Sequence, residues 1–294
     1  MRRPFPAAVN NGGMSQEWVS YRRSPRVPVE VMRAHFEHHR YDLHAHESYS
    51  FGCTELGAQT FRCRGAQRTS AEGMVMAFNP EDPHDGHAAD EGGFTYQIVH
   101  LSPELIGDVL SDEAGRPVGL PLFAEPVLHE PGLAAALREV HAALTGGESA
   151  LAQDEALHRA VRTMVRLGAV TAAPPGWTAE TRREDDGLRQ VRELLHAEFA
   201  TDVETARLAE ISGRSRFALY RAFRDLHGLT PGEYQRQLRV RCARRSLASG
   251  RTPAEAAAEA GFADQSHLTR WFRRYYAITP ARFRDAALGQ PVAS

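Results

Sequence analysis

The sequence predicts an α+β protein of several domains: an antiparallel β-barrel, helices that follow it, and an all-α C-terminal domain with two helix-turn-helix units. Strand-like runs separated by Gly, Pro and Asp occupy residues 29–101. Beyond Pro103, apolar residues recur mostly at helical spacing. Near the C-terminus, LYRAFR at 219–224 returns as LTRWFR at 268–273, an offset of 49 positions. These observations separate a strand-rich first part from a helical second part that is internally repeated.

The first predicted domain is the barrel, at residues 29–102. Its strand-like runs, each short and bounded by turn-forming residues, are VEVMRAHF, SYSFGCTEL, TFRCRG, GMVMAFNP and FTYQIVHL. Several short strands at close spacing are typical of a small antiparallel barrel or sandwich. We expect residues 1–28, which are rich in Pro, Gly, Asn and Arg, to be a flexible arm before it.

Helices are predicted for residues 103–170, where we expect a dimerisation segment. An apolar stripe runs along two of these helices and consists of Leu133, Leu137, Val140, Leu144, Leu157, Val161, Val165 and Leu167. Such a stripe packs either on a second copy of the chain or on the barrel, and the two uses are compatible. Residues 171–187 contain two prolines and a charge run without periodicity, which predicts a linker.

The C-terminal domain, residues 188–288, is predicted to contain seven short helices. Thr-Pro pairs at positions 230, 252 and 279 supply an N-cap and a first-turn Pro to three of them. At the offset of 49, Leu219 and Phe223 align with Leu268 and Phe272. Each repeat consists of a short helix, a Gly-containing turn and a second helix, which is the helix-turn-helix layout.

The second helix of each repeat has an apolar face and an opposite face that can contact DNA. The candidate DNA-binding residues are Arg216, Phe217, Tyr220, Arg221 and Arg224 in the first repeat, and Gln265, Ser266, His267, Thr269, Arg270 and Arg273 in the second. Arg, Gln, Ser, Thr and His can read base edges, and Arg also pairs with phosphate. A solvated face of a helical bundle would explain one such helix. Two such helices at the same position in both repeats, each after a Gly-containing turn, favour double-stranded DNA as the partner.

The charge of the chain is divided unevenly. Residues 1–187 contain 17 Arg and 26 Asp or Glu, which gives a formal net charge of −9. Residues 188–294 contain 18 Arg and 11 Asp or Glu, which gives a formal net charge of +7. Clustered cations displace condensed counterions from phosphates, so the basic part is the one expected to bind nucleic acid. All 35 basic residues are Arg, which excludes lysine chemistry such as a Schiff base.

The stretch GFADQSHLTRWFRRYYAITPARFR (261–284) and the repeat before it resemble the DNA-binding domain of AraC/XylS-type transcriptional regulators, over residues 188–286. The resemblance implies two helix-turn-helix units joined by one long helix at 231–249, with recognition helices in successive major grooves. It places base contacts on Phe217, Tyr220, Arg221, Gln265, Ser266 and Arg270. Activation of transcription and contact with RNA polymerase are further expectations of the family. A dimer would place four recognition helices on two half-sites.

The stretches YDLHAHESYSFG and NPEDPHDGH resemble the two halves of a cupin-type barrel, the usual ligand-binding domain of that family. This resemblance implies a small-molecule effector, with candidate ligand-binding residues His44, His46, Phe51, Phe61, Phe78, His84 and Tyr96. In metal-binding cupins His44, His46 and His84 would match three ligands, but the expected Glu is missing, because position 50 is Ser and position 51 is Phe. We therefore expect no metal and no cofactor, and histidines that line a ligand pocket.

The rival interpretation is a metal-dependent cupin enzyme, or a regulator that senses the metal itself, using the same three histidines. Against an enzyme, the sequence contains no HExxH, no phosphate loop and no GxGxxG motif. Three cysteines are too few for a secreted disulfide scaffold, and no apolar run is long enough to span a membrane. We expect a cytoplasmic, sequence-specific transcription regulator that is not an enzyme and has no membrane partner.

Overall fold

A computed structural model describes residues 17–170 and 184–289. Its strands form one antiparallel sheet of nine strands and a second sheet of two. They are β1 (Trp18–Arg23), β2 (Val29–Phe36), β3 (Arg40–His44), β4 (Tyr49–Cys63), β5 (Ala66–Ala71), β6 (Val75–Phe78), β7 (His84–Ala88), β8 (Phe94–Leu101), β9 (Leu122–Phe123), β10 (Val127–Leu128) and β11 (Ala169–Val170). All strands that pair do so in antiparallel fashion, as the sequence predicts for the first domain.

The long strand β4 connects two layers of the larger sheet. Its first half pairs with β8 and β6, and β8 continues to β2 and β1. Its second half pairs with β5 and β7, and β7 continues to β3. A register shift between Thr54 and Leu56 marks the passage from one layer to the other. We call this two-layered unit the barrel.

One boundary of the barrel differs from the prediction, because residues 18–23 form a strand and not part of a flexible arm. Strand β1 pairs with β2 in a continuous register, from Trp18 opposite His35 to Arg23 opposite Glu30. Tyr21 on β1 is 7% exposed and belongs to the core. The run WVSYRR has strand-forming residues, but the Pro- and Gly-rich composition around it concealed them. Residues 1–16 of the predicted arm lie outside the described residues.

Alternate residues of β4 face two different cores. Phe51 is fully buried between the first layer and the helices α1 (Pro103–Ala114), α2 (Pro131–Gly146) and α3 (Ala150–Gly168). The side chain of its neighbour Ser50 points to the opposite face, into the barrel, because side chains alternate along a strand. The prediction that Phe51 lines a ligand pocket is therefore wrong.

The apolar stripe that predicted a dimer interface is covered within the chain. Its residues at the centre of the contact are at most 5% exposed and pack with the first layer of the barrel: Leu133, Leu137, Val140, Leu157 and Val161. The barrel already buries them, as the alternative expectation stated. A second copy of the chain would have to bind elsewhere.

Residues 184–289 contain seven helices, as predicted: α4 (Asp186–Ala197), α5 (Thr205–Ser212), α6 (Arg216–His227), α7 (Pro231–Ala248), α8 (Pro253–Glu259), α9 (Gln265–Tyr276) and α10 (Pro280–Ala287). Capping boxes at Thr230 and Thr252 start α7 and α8. Helix α4 begins before the predicted residue 188, with Asp185 as its N-cap. Residues 171–183 of the predicted linker lie outside the described residues. Among the helices described, none is long and apolar enough to cross a membrane.

The C-terminal helices pack against the barrel. Helix α9 lies against β3, and α10 lies against β1. The rings of Tyr21 on β1 and Phe283 on α10 have centroids 5.9 Å apart. A continuous apolar core joins the inside of the barrel to α7, α9 and α10. The barrel and the C-terminal domain therefore share one buried interface.

Candidate nucleic-acid interface and ligand cavity

Each helix-turn-helix unit is organised by a glycine that follows its first helix. Gly213 follows α5 with φ +63°, and Gly261 follows the end of α8 with φ +74°. Left-handed backbone of this kind favours glycine. Ser215 and Asp264 then cap α6 and α9, which we call the recognition helices, by accepting from backbone N–H groups of the first turn. The turn and the cap together fix where each recognition helix starts.

Replacing these glycines by Ala tests how tightly each turn is packed. A Cβ at position 261 would lie 1.9 Å from the carbonyl oxygen of Ala200, whereas a Cβ at position 213 would meet nothing within 4 Å. Both changes place Ala in the left-handed region, and only Gly261→Ala adds a backbone clash. We expect urea unfolding to show that the free energy of unfolding falls by about 3 kcal/mol for Gly261→Ala and by about 1 kcal/mol for Gly213→Ala. Equal losses would mean that the turn after α8 has room for a side chain.

The outward face of α6 is open to solvent. All five predicted residues of the first repeat are exposed there, namely Arg216, Phe217, Tyr220, Arg221 and Arg224. Phe217 is 89% exposed, which is unusual for an aromatic side chain on a folded helix. On the opposite face Leu219 and Phe223 are fully buried. The exposed aromatic and guanidinium groups can make apolar contacts to thymine methyl groups and hydrogen bonds to bases and phosphates.

The outward face of α9 presents most of the predicted residues of the second repeat. Gln265, Ser266, Arg270 and Arg273 are exposed, and Thr269 is half-buried. His267 is engaged differently. Its Nε2 accepts from the indole N–H of Trp271 at 3.0 Å, and its ring meets the edge of Phe262 at 5.3 Å. We therefore assign His267 to the packing of α9 rather than to its outward face.

A turn of the barrel lies beside α9, and no sequence pattern connected it with the DNA-binding face. Within this β2–β3 turn (residues 37–39), His38 and His39 border an open groove together with Arg40. The other wall of the groove is Gln265, Ser266, Thr269, Arg270, Arg273 and Arg274. Glu17 holds the turn by accepting from the backbone N–H groups of residues 37, 38 and 39. A helix in the major groove has a phosphate backbone on each side. The turn therefore lies beside the face of α9 that we expect to contact DNA.

A cavity of about 410 Å³ lies between the barrel and the C-terminal helices. Six of the seven predicted ligand-binding residues line its barrel side: His44, His46, Phe61, Phe78, His84 and Tyr96. The opposite wall belongs to the C-terminal domain and includes Arg241 and Arg244 of α7, Tyr275 and Tyr276 of α9, and Phe283 of α10. A molecule bound in this cavity would touch both domains.

Two arginines of α7 make polar contacts across the domain boundary. Arg241 donates to Glu81 at 2.9 Å and to the carbonyl oxygen of Ala45 at 3.2 Å. Arg244 forms an ion pair with Glu30 of β2. Burial raises the pKa of Glu30, but Arg244, His100, Tyr21 and Arg23 together lower it by more, so the net pKa is lowered and the carboxylate is ionised. Separating the domains would leave these buried charges without their partners.

Four histidines of the barrel face the cavity: His44, His46, His84 and His100. Burial lowers the pKa of His44 to about 3 and those of His84 and His100 to about 4, so these rings are neutral at pH 7. Burial also lowers the pKa of His46. Ser50 stands where a cupin would carry Glu, and its Oγ lies 2.8 Å from Nδ1 of His100. The three predicted histidines, His44, His46 and His84, are thus part of the cavity wall, and His100, which the sequence did not indicate, lies there with them.

Two protein-family models match the chain. One is described as an AraC-like ligand binding domain and matches residues 26–161. The other is described as a helix-turn-helix domain and matches residues 208–286. The first match covers most of the barrel and the helices packed on it, and the second covers both recognition helices.

Individual proteins match in the same regions. The probable transcription factor PqrA from Proteus vulgaris is 38% identical over 102 residues, which are 34% of this chain and 82% of PqrA. The uncharacterized HTH-type transcriptional regulator YbfI from Bacillus subtilis is 27% identical over 256 residues, which are 87% of this chain and 91% of YbfI. An apo structure of a ToxT variant from Vibrio cholerae covers 95% of this chain and 100% of its own, with a TM-score of 0.51 and 10% identity. At that identity the likeness to ToxT concerns the fold alone.

Proposed function

Because the chain belongs to the AraC family of helix-turn-helix transcription regulators, we propose that it binds specific DNA sequences under the control of a small-molecule effector. The observation that carries this proposal is the cavity of about 410 Å³ whose walls come from both the barrel and the DNA-binding domain. An effector in this cavity would contact both domains. Its affinity would therefore depend on how the domains are arranged, which is the requirement for coupling effector binding to DNA binding.

The lining of the cavity suits an effector with an apolar body and an oxygen that accepts hydrogen bonds. Phe61, Phe78 and Tyr96 supply aromatic surface. The Nε–H groups of Arg241 and Arg244 are buried, and neither has an acceptor within residues 17–170 and 184–289. Unsatisfied buried donors are unfavourable, so an acceptor oxygen on the effector would stabilise the occupied cavity.

The docked arrangement of the two domains is, in our proposal, the form with low affinity for DNA. Helix α6 is open, whereas α9 has the β2–β3 turn beside its outward face. Helix α7 connects the two units, and tight binding requires both recognition helices to reach major grooves. The effector would control transcription by changing the populations of docked and undocked molecules.

The proposal also includes features carried over from the family resemblance: a homodimer, activation of transcription and contact with RNA polymerase. We place the protein in the cytoplasm. Its relatives PqrA and YbfI are named as a probable transcription factor and a transcriptional regulator, and we propose no enzymatic activity.

Selection of bound sequences from a random pool of double-stranded DNA tests the DNA-binding part of the proposal. We expect fragment 184–294, which contains the N-cap of α4 and all seven C-terminal helices, to select the same operator sequence as the full chain. Fragment 1–170 is the control and should select nothing. A folded fragment 184–294 without sequence preference would contradict the proposal.

A further inference from the structure

We propose that His44, His46 and His84 bind one divalent transition-metal ion, such as Zn²⁺, on the barrel wall of the cavity. The ligand nitrogens of the three side chains all lie within 4.8 Å of one another. The Nε2 atoms of His44 and His46 are 3.1 Å apart. Two nitrogens on one tetrahedral zinc ion, at about 2.0–2.1 Å from it, stand about 3.3 Å apart. This pair therefore already has the separation of two ligands of the same ion.

Hydrogen bonds from Nδ1 to the backbone orient the imidazole rings of His44 and His84. Nδ1 of His44 lies 2.7 Å from the carbonyl oxygen of Asp42, and Nδ1 of His84 lies 2.8 Å from the carbonyl oxygen of Asp82. A carbonyl oxygen only accepts, so each Nδ1 carries the proton and each Nε2 carries a lone pair. Histidines that ligate metals are commonly oriented in this way.

Ring contacts hold the same two imidazoles in place. His84 stacks on Phe78 with ring centroids 3.9 Å apart and an interplanar angle of 3°. His44 stacks on Tyr275 of α9 with centroids 5.5 Å apart. Nε2 of His84 has no hydrogen-bond partner among the described residues. The lone pair of this fixed, neutral nitrogen is therefore available to coordinate a metal cation.

The donor set selects the class of metal. Imidazole nitrogens favour Zn²⁺, Co²⁺, Ni²⁺ or Cu²⁺ over Mg²⁺ and Ca²⁺, which prefer oxygen. The cluster holds three imidazoles and neither a carboxylate nor a thiolate. Three protein ligands leave a fourth position for water or a small molecule, and the cavity borders this cluster. The inference goes beyond the proposed function, because metal binding requires neither DNA nor a change of docking.

Titration of untagged, metal-free full-length protein with Co²⁺ tests the site. We expect one equivalent to bind and to produce the visible absorption of a four-coordinate cobalt ion. Zn²⁺ should displace it, and a large excess of Mg²⁺ should not. His84→Gln should weaken binding by at least about 100-fold, because removing a ligand costs more than removing a group that only hydrogen-bonds to a ligand. X-ray absorption of the Zn²⁺ form should count three imidazole ligands.

His141→Gln is the matched control, because His141 is also buried, has a pKa lowered to about 4 by burial, and lies on α2 outside the cluster. It should leave metal binding unchanged, and thermal unfolding should show that both variants remain folded. An absent cobalt spectrum, weak binding equal in wild type and His84→Gln (an adventitious ion only), or fewer than three imidazoles around zinc would overturn the proposal. None of these results depends on DNA, so they leave the regulatory function to its own test.

Discussion

Replacing Arg270 by Ala is expected to remove most of the preference of the full-length protein for its selected operator over random DNA. Arg270 is exposed on the outward face of α9, and it forms no ion pair with any residue in 17–170 or 184–289. A bidentate Arg–guanine contact discriminates by about 1–3 kcal/mol, which corresponds to about 5- to 150-fold in affinity. Operator affinity should fall by this factor, and affinity for random DNA should fall much less.

Arg251→Ala is the control for this measurement. Arg251 is also exposed and lies just before α8, but Glu255 and Glu259 lie within 3.8 Å of its guanidinium group. Its removal should change both affinities by less than about twofold, because exposed ion pairs contribute little. Fluorescence anisotropy at one fixed salt concentration compares the variants, since phosphate contacts depend on salt. Equal losses on operator and random DNA for Arg270→Ala would identify Arg270 as a phosphate contact only.

The helix-turn-helix repeat could be predicted in detail because its signals are local. Thr-Pro starts, a glycine in each turn and apolar residues at helical spacing all lie within the segment they organise, and the seven helices follow them closely. The outward faces of α6 and α9 follow from the same spacing. His267 differs because its ring reaches Trp271 one turn away on the same helix, a contact that the choice of residue type does not reveal.

Which side chains of β4 face the cavity could not be predicted, because this strand has no local signal of that kind. Residues 49–54 of this strand are buried on both faces, so no alternation of polar and apolar residues shows which side chains face the cavity. The sequence pattern therefore places Phe51 on the wrong face of the strand. The apolar stripe on α2 and α3 was equally ambiguous, because the barrel and a second copy of the chain would both cover it.

The docking of the two domains lies beyond the reach of sequence patterns. Its contacts join distant positions, such as the N–H of Ala45 with the side chain of Gln237, 192 residues away. Several of its members are polar residues that are exposed in most proteins, yet Gln237 and Arg241 are at most 7% exposed here. The sequence therefore could not predict that the C-terminal helices form the second wall of the cavity.

A disulfide between Pro83→Cys and Gly228→Cys should hold the domains docked and strongly reduce binding to the operator. Gly228 follows the end of α6, and a Cβ built there lies 3.2 Å from Cβ of Pro83 on the barrel. Cβ atoms of disulfides are about 3.5–4.5 Å apart, so a small adjustment permits the bond. With the β2–β3 turn held beside α9, only α6 could bind fully. Losing one of two linked recognition helices should weaken binding by about 100-fold or more.

The native cysteines determine the design of this variant. Cys53 and Cys63 are buried, whereas Cys242 is partly exposed and should be replaced by Ser to prevent mispairing. Because a Cβ at position 228 would lie 2.6 Å from Cγ of Pro83, the control is Pro83→Ser with Gly228→Cys in the same background. It carries the same left-handed cysteine but cannot form the bond, so a reducing agent should not change its affinity.

The most direct test of control through domain docking is the operator affinity of the double-cysteine variant before and after reduction. Mass spectrometry establishes that the cross-link is complete in the oxidised sample and absent in the reduced one. We expect reduction to raise the affinity by about 100-fold or more. The same affinity in both states would show that the docked molecule already binds DNA, and would contradict the proposed regulation.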